Sequence, residues 1–487
     1  MDLLFEKSVP GKHTQYLPTC ELDIDVDVDK SLLRESDLNL PELSEIEVSR
    51  HYSELERQTF GVNNGMYMLG SCTMKYNPQI NEIIAGLDGF SNAHPLSPDQ
   101  SCQASLGVYA KAEEYLCEIT GMDEMTFQPA AGAHGELCGL MMIKAYHESN
   151  NEASRSKILI PDAAHGTNPA SAAMVGYDLI SIPVDDDGFI IIDELKKLAD
   201  SSVAGLMLTN PNTEGQFEKN ILEVSKIVHD AGGINYYDGA NLNAIMGIVR
   251  PGDMGFDIVH LNLHKTFSTP HGGGGPGACG VGVKKGLAQF LPGPKVYEKD
   301  GQYIQETPSK SIGKLVAFNG NFANVLRALT YVITLGREGI SYSAKNAVLN
   351  ANYMKALLSD DYDMSHDGIC MHEFVMTLKR LKKVTGVSAK DIAKGLLDFG
   401  LHAPTMYFPL TIEEALMVEP TETESQESMQ YAVEVFKKLK ELALENPEYL
   451  LKAPYTTYVR RPDELEAARK PILSFQQSIK LDAGEQD

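Results

Sequence analysis

Tryptophan is absent from the 487 residues of the chain, and cysteine occurs only seven times. The cysteine count is odd, and no two cysteines form a C-x-x-C pair. Neither a disulfide scaffold nor a metal site is therefore predicted, and a reducing cytoplasm fits this use of cysteine best. The sequence also lacks any run of about 18 apolar residues, so no membrane span is predicted.

Basic residues are scarce, because Lys and Arg total 42 against 67 Asp and Glu, which gives a formal net charge of -25. This surplus of negative charge argues against binding to nucleic acid or to an anionic membrane surface. The opening MDLLFEKSVPGKHTQY has no basic segment followed by an apolar stretch. Neither a secretory signal nor a transit peptide is predicted, and a cytoplasmic protein is expected.

The pattern along the chain predicts three parts. Residues 1–100 are expected to form an extended arm with a helix near Glu45–Thr59. Short apolar runs then alternate with helical stretches, which is typical of an α/β domain with a parallel-rich sheet and helices on both faces, predicted for residues 101–355. The remaining residues, 356–487, are predicted to form a smaller C-terminal α+β domain. The predicted strands are Lys157–Ile160, Leu179–Pro183, Gly205–Thr209, Ile234–Tyr237 and Ile258–Leu261.

Lys265 stands in the stretch HLNLHKTFSTPHGGGGPG, between a predicted buried strand and a loop of glycines. Most lysines are solvated surface charges, which is the alternative interpretation. A lysine at the end of a buried strand can instead lose its proton and form a Schiff base with a carbonyl compound. Pyridoxal 5'-phosphate is the common cofactor of this kind, and it also needs a carboxylate, a phosphate cradle and a flat contact for its ring.

Asp238 is the candidate carboxylate for the ring nitrogen of such a cofactor. It ends the predicted strand in INYYDGANLNA and is followed by Gly239 and Ala240, which are small enough to let a planar ring lie alongside. An aspartate that caps a turn or a helix is the alternative.

Two further segments supply candidates for cofactor contact. In QPAAGAHGE, Gly132 and Ala133 precede a predicted helix whose N-terminus could bind phosphate, and His134 could stack on the ring. In PDAAHGTNPAS, His165 and Thr167 follow a predicted strand. An ordinary loop before a helix is the alternative in both places. Sites in open α/β sheets gather at the carboxyl ends of strands, where all these segments are expected.

With these residues in view, the sequence resembles a known family. The stretches LNLHKTFSTPHGGGGPG, DGANLNA, PDAAHGTNPASAAMVG and MYMLGSCTMKYNP, together with LMVEPTETES and APYTTYVRRPDELEAARKP, resemble the pyridoxal-phosphate-dependent glycine decarboxylases, the P proteins of the glycine cleavage system. The resemblance covers residues 50 to 471. It implies the aspartate-aminotransferase-like fold of pyridoxal-phosphate enzymes, called fold type I.

The resemblance also implies an activity and partners. The chain has half the length of single-chain members, and it resembles the lysine-bearing second subunit of the split form, a heterotetramer with two copies each of subunit 1 and subunit 2. Glycine would displace Lys265 and form an external aldimine, and carbon dioxide would leave. The aminomethyl group would then pass to the lipoyl arm of the H protein.

Roles for further residues follow from the same resemblance. The lysine itself, His264 or His271 would move protons, and the sequence does not decide among them. Arg460 or Arg461 could hold the glycine carboxylate. The motif GSCTMKYN is expected to line the substrate pocket through Ser71, Thr73, Lys75 and Asn77.

Three alternatives stay open at this point. A pyridoxal-phosphate enzyme that works alone, such as an aminotransferase, would use the same lysine and aspartate. A noncatalytic subunit could have kept the fold, although Lys265 and Asp238 are both present. The run Gly272–Gly275 could leave room for a lipoyl arm, or it could only permit a tight backbone path.

Overall fold

A computed structural model gives two compact units, Met1–Gly61 with Pro454–Asp487 and Val62–Ala453. The predicted boundaries at 100/101 and 355/356 both fall inside the larger unit and stay a prediction. The structure describes residues 2–12, 21, 27–36, 38–162, 164, 166–272, 277–475 and 477–478.

Thirteen strands lie in the described residues, all in the larger unit. They are β1 (Glu124–Thr126), β2 (Lys157–Pro161), β3 (Asp178–Ile182), β4 (Val203–Thr209), β5 (Ile234–Asp238), β6 (Ile258–Asn262), β7 (Cys279–Val283), β8 (Lys295–Lys299), β9 (Gln302–Glu306), β10 (Asp363–Met364), β11 (Phe374–Thr377), β12 (Thr405–Met406) and β13 (Ala415–Val418).

The described residues also form fifteen α-helices. They are α1 (Leu4–Lys7), α2 (Glu45–Gln58), α3 (Gln79–Ala85), α4 (Asp88–Ser91), α5 (Gln103–Thr120), α6 (Gly132–Ser149), α7 (Thr167–Val175), α8 (Ile192–Leu198), α9 (Ile221–Asp230), α10 (Phe322–Leu358), α11 (Lys379–Thr385), α12 (Ala389–Leu397), α13 (Gln426–Glu445), α14 (Pro447–Lys452) and α15 (Glu464–Arg469). None of these helices is both long and apolar enough to cross a membrane.

The main sheet has seven strands in the order β1-β7-β6-β5-β4-β2-β3. Strands β2 to β6 pair in parallel, whereas β7 is antiparallel to both of its neighbours. Every residue of β4, β5 and β6 is buried, because helices cover the sheet. This burial explains the continuous apolar runs of the sequence, and the predicted parallel-rich sheet is present.

A second, antiparallel sheet follows in the order β10-β11-β13-β12. It packs with α12 and α13 around a core that includes Phe374, Phe436 and Leu439, all of them fully buried. The helix α10 leads toward this sheet and bends at Gly336, whose φ of 62° is non-helical. Strand β11 pairs with β13 so that Phe374 faces Val418, which brings the residue before β11 close to the residue after β13.

The smaller unit contains α1, α2 and α15. Helix α2 is the helix predicted near Glu45–Thr59, and its N-terminus carries a capping box of Ser44 and Glu47. The rings of Phe5 and Phe475 stack with centroids 4.9 Å apart.

Candidate active site

A cleft of about 260 Å³ opens at the carboxyl ends of β4, β5 and β6 in the larger unit. Three strand ends, the start of α6, the start of α7 and the loop before α3 meet there, as expected for a parallel sheet. The lining residues are Ser71, Ala131, Gly132, Ala133, Glu136, Thr167, Thr209, Thr213, Asp238, Ala240, Asn241, His260, Asn262, His264 and Lys265.

Lys265 follows β6 after a tight turn, in which its backbone N–H donates to the Asn262 carbonyl at 3.1 Å. Its amine donates to the backbone carbonyl of Ser71 at 2.8 Å. Ser71 itself is a non-glycine residue with φ of 58°, in the left-handed region. The predicted nucleophile therefore lies in the cleft, held by the backbone of a loop far away in sequence.

Asp238 ends β5 at the floor of the cleft, with 3% of its surface exposed. One carboxylate oxygen accepts from the backbone N–H of Ala240 at 3.0 Å, and the other accepts from the Asn168 amide at 3.1 Å. Burial works to raise the pKa of Asp238. The neighbouring His260, these hydrogen bonds and the charge of Lys265 outweigh burial, so its pKa lies below the usual value and it stays anionic.

Polar residues on β6 were not identified as site residues from the sequence. His260 bonds the Tyr236 hydroxyl at 2.7 Å through Nδ1, and its Nε2 lies 2.9 Å from the Asn262 side-chain oxygen. The signal was present, because His260, Asn262 and His264 alternate with apolar residues in VHLNLHK. A period of two places His260 and Asn262 on one side of β6, facing the cleft.

The start of α6 lies against the same strand. A Cβ on Gly132 would come within 2.5 Å of the Asn262 amide nitrogen and 3.1 Å of His260 Nε2, so a larger residue would displace the Asn262 side chain. Inside the helix, Glu136 is buried and accepts from the Thr167 hydroxyl at 2.8 Å, which ties α6 to α7. The N-terminal amides of this 18-residue helix therefore lie at the cleft, where they suit an anion.

One polar atom of the wall suits a ligand. The Thr209 hydroxyl at the end of β4 is buried and has no hydrogen-bond partner among the described residues. Buried polar groups are normally paired, so this atom is available to a bound molecule.

The predicted histidines differ in position. His264 lines the cleft, and burial, Lys265 and His271 together lower its pKa to about 4. The ring of His271 lies 5.8 Å from that of His264, and its Nε2 is 3.1 Å from the Met74 sulfur. His134 is half-buried beside the cleft without lining it, and its Nδ1 accepts from the Ala130 N–H at 3.3 Å. His165 lies outside the described residues.

The motif GSCTMKYN reaches the cleft only through Ser71. Lys75 is fully buried in an ion pair with Glu422 at 2.6 Å. Asn77 donates to the Ser268 hydroxyl at 3.3 Å. Arg461 belongs to the smaller unit, and its role stays a prediction.

Three further buried groups were not found from the sequence. His372 and Glu373 precede β11 and are 0% exposed, and Glu419 follows β13 and is 1% exposed. The Thr73 hydroxyl donates to Glu419 at 2.6 Å, and the Ser71 N–H donates to Glu373 at 2.7 Å. Both acids stand next to apolar strand-like runs, HEFVMT and ALMVEP, which was the available signal.

The fold with its lysine and aspartate at adjacent strand ends defines the class of the chain, a fold type I enzyme. Similar structures include a glycine decarboxylase (P-protein) of the glycine cleavage system in inhibitor-bound form, with a TM-score of 0.71 and 20% identity, covering 84% of this chain and 93% of that one. A cysteine desulfurase from Thermococcus onnurineus matches with a TM-score of 0.60 and 13% identity, covering 78% and 95%. These structures confirm the predicted fold.

The particular family follows from closer relatives. A protein of Treponema denticola named "Probable glycine dehydrogenase (decarboxylating) subunit 2" is 56% identical over 97% of this chain and 98% of its own length. A protein of the same name from Caldanaerobacter subterraneus is 54% identical over 97% and 98%. The family profile described as "Glycine dehydrogenase, C-terminal domain" matches residues 343–448. The chain belongs to the family of subunit 2 of glycine dehydrogenase (decarboxylating). This membership confirms the predicted family and the prediction that the chain is an enzyme.

Proposed function

We propose that the chain is the lysine-bearing subunit of a pyridoxal-phosphate-dependent glycine decarboxylase. It takes up glycine, releases carbon dioxide and transfers the aminomethyl group to the lipoyl arm of the H protein. The observation that carries this proposal is the meeting of the Lys265 amine and the Asp238 carboxylate in one cleft. The membership of the chain in the glycine dehydrogenase family supports the choice of substrate.

The cleft suits pyridoxal 5'-phosphate, which carries an aldehyde, a ring nitrogen and a phosphate. Lys265 would hold the aldehyde carbon, and Asp238 would hold the ring nitrogen. The first amides of α6 at Gly132 and Ala133 would take the phosphate. Thr167 lines the cleft beside them and stays a proposed cofactor contact, with its hydroxyl proton donated to Glu136. Ala240 and Gly132 have little or no side chain, so the cofactor could lie close to the backbone there. The Thr209 hydroxyl is available for a further polar contact. His134 beside the cleft, and His165, stay proposed contacts of the ring and the phosphate.

When bound, the cofactor supplies an electron sink for the electron pair that remains on glycine when carbon dioxide leaves. The chain contributes the charge that makes this sink effective. Asp238 remains anionic because its pKa is depressed, and an anionic carboxylate keeps a neighbouring ring nitrogen protonated.

Proton movement is assigned to Lys265 and His264. The Ala278 carbonyl can only accept a hydrogen bond, so the contact at 3.3 Å puts the His264 proton on Nδ1 and leaves Nε2 as the acceptor atom. Its pKa of about 4 keeps this imidazole neutral at physiological pH, so His264 is a weak base that would pass a proton on rather than keep it. His271 lies behind His264 and would tune it.

Glycine offers a carboxylate and an amine for recognition. Ser71 lines the cleft and is the proposed substrate contact of its motif. Thr73, Lys75 and Asn77 are bonded to other residues, and we propose that they shape the pocket by holding the loop. Arg461 stays the candidate for the carboxylate of glycine.

The proposal includes partners and a location. The word subunit in the names of the relatives supports a partner chain, and we propose a heterotetramer with two copies each of subunit 1 and of this chain. The lipoylated H protein would deliver the acceptor disulfide. We propose a cytoplasmic location, in keeping with free cysteines.

The absorbance spectrum of the purified protein, with and without subunit 1, tests this function. A visible band of lysine-bound cofactor is expected in the wild type and should be lost in Lys265→Ala. Glycine–bicarbonate exchange should require both subunits and the H protein. A protein that turns over with a keto acid and no lipoyl partner would be an aminotransferase instead. The absence of the band would favour a noncatalytic subunit.

A further inference from the structure

The loop that covers Lys265 is held by two buried carboxyl groups. Glu373 comes directly before β11 and Glu419 directly after β13, and the pairing of Phe374 with Val418 brings the two acids to one end of the antiparallel sheet. Both side chains are almost completely buried. The pairing of the two strands and the surrounding protein therefore fix the positions of both side chains.

Glu373 and Lys265 bind the two sides of one residue. The Ser71 N–H donates to the Glu373 carboxyl at 2.7 Å, and the Ser71 carbonyl accepts from the Lys265 amine at 2.8 Å. Ser71 has φ of 58°, which a non-glycine residue adopts only when its surroundings hold it there. The contact with Glu373 supplies such a hold and thereby sets the direction of the carbonyl.

The remainder of the loop is fixed in the same way. A Cβ on Gly70 would come within 2.2 Å of the Met417 side chain, so the backbone lies directly on β13. The Thr405 hydroxyl donates to the Gly70 carbonyl at 2.7 Å, and Thr73 donates to Glu419. The loop thus has one defined path over the lysine, and the carboxyls hold it on both sides of Cys72.

We propose that Glu373 is a positioning residue for the reaction at Lys265, acting through the backbone of Ser71. The inference rests on the proposed function, because it concerns the reactive amine of that site. In this role Glu373 serves as a hydrogen-bond acceptor and not as a charge. In support, burial and the neighbouring Glu419 raise the pKa of Glu373 well above its ordinary value, and a neutral carboxyl still offers an acceptor oxygen.

Two variants distinguish the length of the Glu373 side chain from its ability to ionise. Glu373→Gln keeps the length and an acceptor oxygen but cannot ionise, whereas Glu373→Asp keeps the acid and is one methylene too short for Ser71. The measurement is the rate at which the full protein, with subunit 1 and freed of cofactor, captures added pyridoxal 5'-phosphate, followed by absorbance. Glu373→Asp should slow capture about tenfold or more and lower kcat rather than raise the KM for glycine. Glu373→Gln should stay within about twofold of wild type.

The controls distinguish positioning from a loss of stability. Glu113→Asp shortens another acid, one whose side chain is 16% exposed, which pairs with Lys295 at 2.9 Å and lines a different cavity, and it should leave capture unchanged. Equal damage by Gln and Asp would overturn the proposal, since the charge or the proton would then matter. A capture rate that depends on Mn²⁺ or falls with EDTA would also overturn it, in favour of a metal held by His372, Glu373 and Glu419.

The capture experiment gives different results if the proposed function fails and if only the positioning role of Glu373 fails. If the wild type captures no cofactor, like Lys265→Ala, the proposed function itself fails. If the wild type captures cofactor and Glu373→Asp does so at the same rate, only the positioning role of Glu373 fails.

Discussion

The carboxylate of Asp238 lies 3.3 Å from the imidazole of His260, measured from Oδ1 to Nε2. The two residues stand directly opposite each other in the pairing of β5 with β6. Strand register therefore sets the distance, and the hydroxyl of Tyr236 holds the far side of the imidazole at 2.7 Å. An anionic group at the floor of a buried cleft is stabilised by this arrangement, and its loss gives a first prediction.

Asp238→Asn should keep the fold and lose activity. The amide can still accept from Ala240, but it cannot keep a cofactor ring nitrogen protonated. We expect kcat for glycine–bicarbonate exchange to fall roughly 10²-fold, the scale typical for losing a preorganised charge. Asp253→Asn removes an aspartate whose side chain is 55% exposed and should change kcat less than twofold. An Asp238→Asn protein with wild-type kcat would show that the carboxylate does not serve the cofactor.

Gly132→Ala should damage the cofactor site through contact alone. The new methyl group would lie 2.5 Å from the Asn262 amide nitrogen, inside a packed region, so the Asn262 side chain, the helix start or the strand must shift. We expect a loss of about 1–3 kcal/mol in stability and slower capture of the cofactor. Thermal unfolding and absorbance measure the two effects. Gly286→Ala, where a Cβ meets nothing within 4 Å, is the matched control and should resemble wild type.

The fold and the centre of the site could be predicted because their signals are local. Buried parallel strands appear as short apolar runs, and Asp238 and Lys265 each follow one of them. The register that places Asp238 opposite His260 involves residues from two strands, and a single run of sequence does not contain it. His260 was therefore missed although its alternation with apolar neighbours was visible.

The residues around the GSCTMKYN loop show more clearly what a sequence alone cannot predict. Lys75 and Glu422 are 347 positions apart, so no spacing rule connects them. Their meeting depends on how β13 and the loop before α3 pack, which is tertiary structure. Thr73 and Lys75, which are expected at the substrate, are each bonded to a glutamate that follows β13, and their role at the substrate stays a prediction.

Glu419 should make the stability of the protein depend on pH. Burial raises its pKa from 4.5 to about 7, so the folded state binds more protons than the unfolded state between these values. Stability should therefore fall as pH rises from about 4.5 to 7, because unfolding releases the proton. Glu419→Gln stays neutral and can still accept from Thr73.

The test compares denaturant unfolding of Glu419→Gln and wild type across this pH range. The variant should match wild type near pH 4.5 and become more stable than it by the order of 2 kcal/mol near pH 7. Glu298→Gln, which removes one exposed negative charge on β8, should follow the wild-type curve. Parallel curves for Glu419→Gln and wild type would mean that Glu419 carries no raised pKa.

Lys75 offers the sharpest distinction between a structural and a substrate role. Its amine is fully buried, 2.6 Å from Glu422, and it also contacts Asn243 at 3.0 Å and the Tyr331 hydroxyl at 3.1 Å. Lys75→Met would leave the Glu422 carboxylate buried without its cation. We expect a loss of about 3–5 kcal/mol in the free energy of unfolding.

The double variant Lys75→Met with Glu422→Gln should recover much of that loss, because it removes both charges together. The matched control is Lys379→Met, which breaks the pair of Lys379 and Glu413, whose side chains are 66% and 69% exposed. It should lower the free energy of unfolding by less than about 1 kcal/mol. If Lys75 instead bound glycine, Lys75→Met would raise the KM for glycine at unchanged stability, and the second substitution would restore nothing. The free energy of unfolding and the KM for glycine, measured on wild type, Lys75→Met, the double variant and the control, therefore decide whether this lysine holds the loop or the substrate.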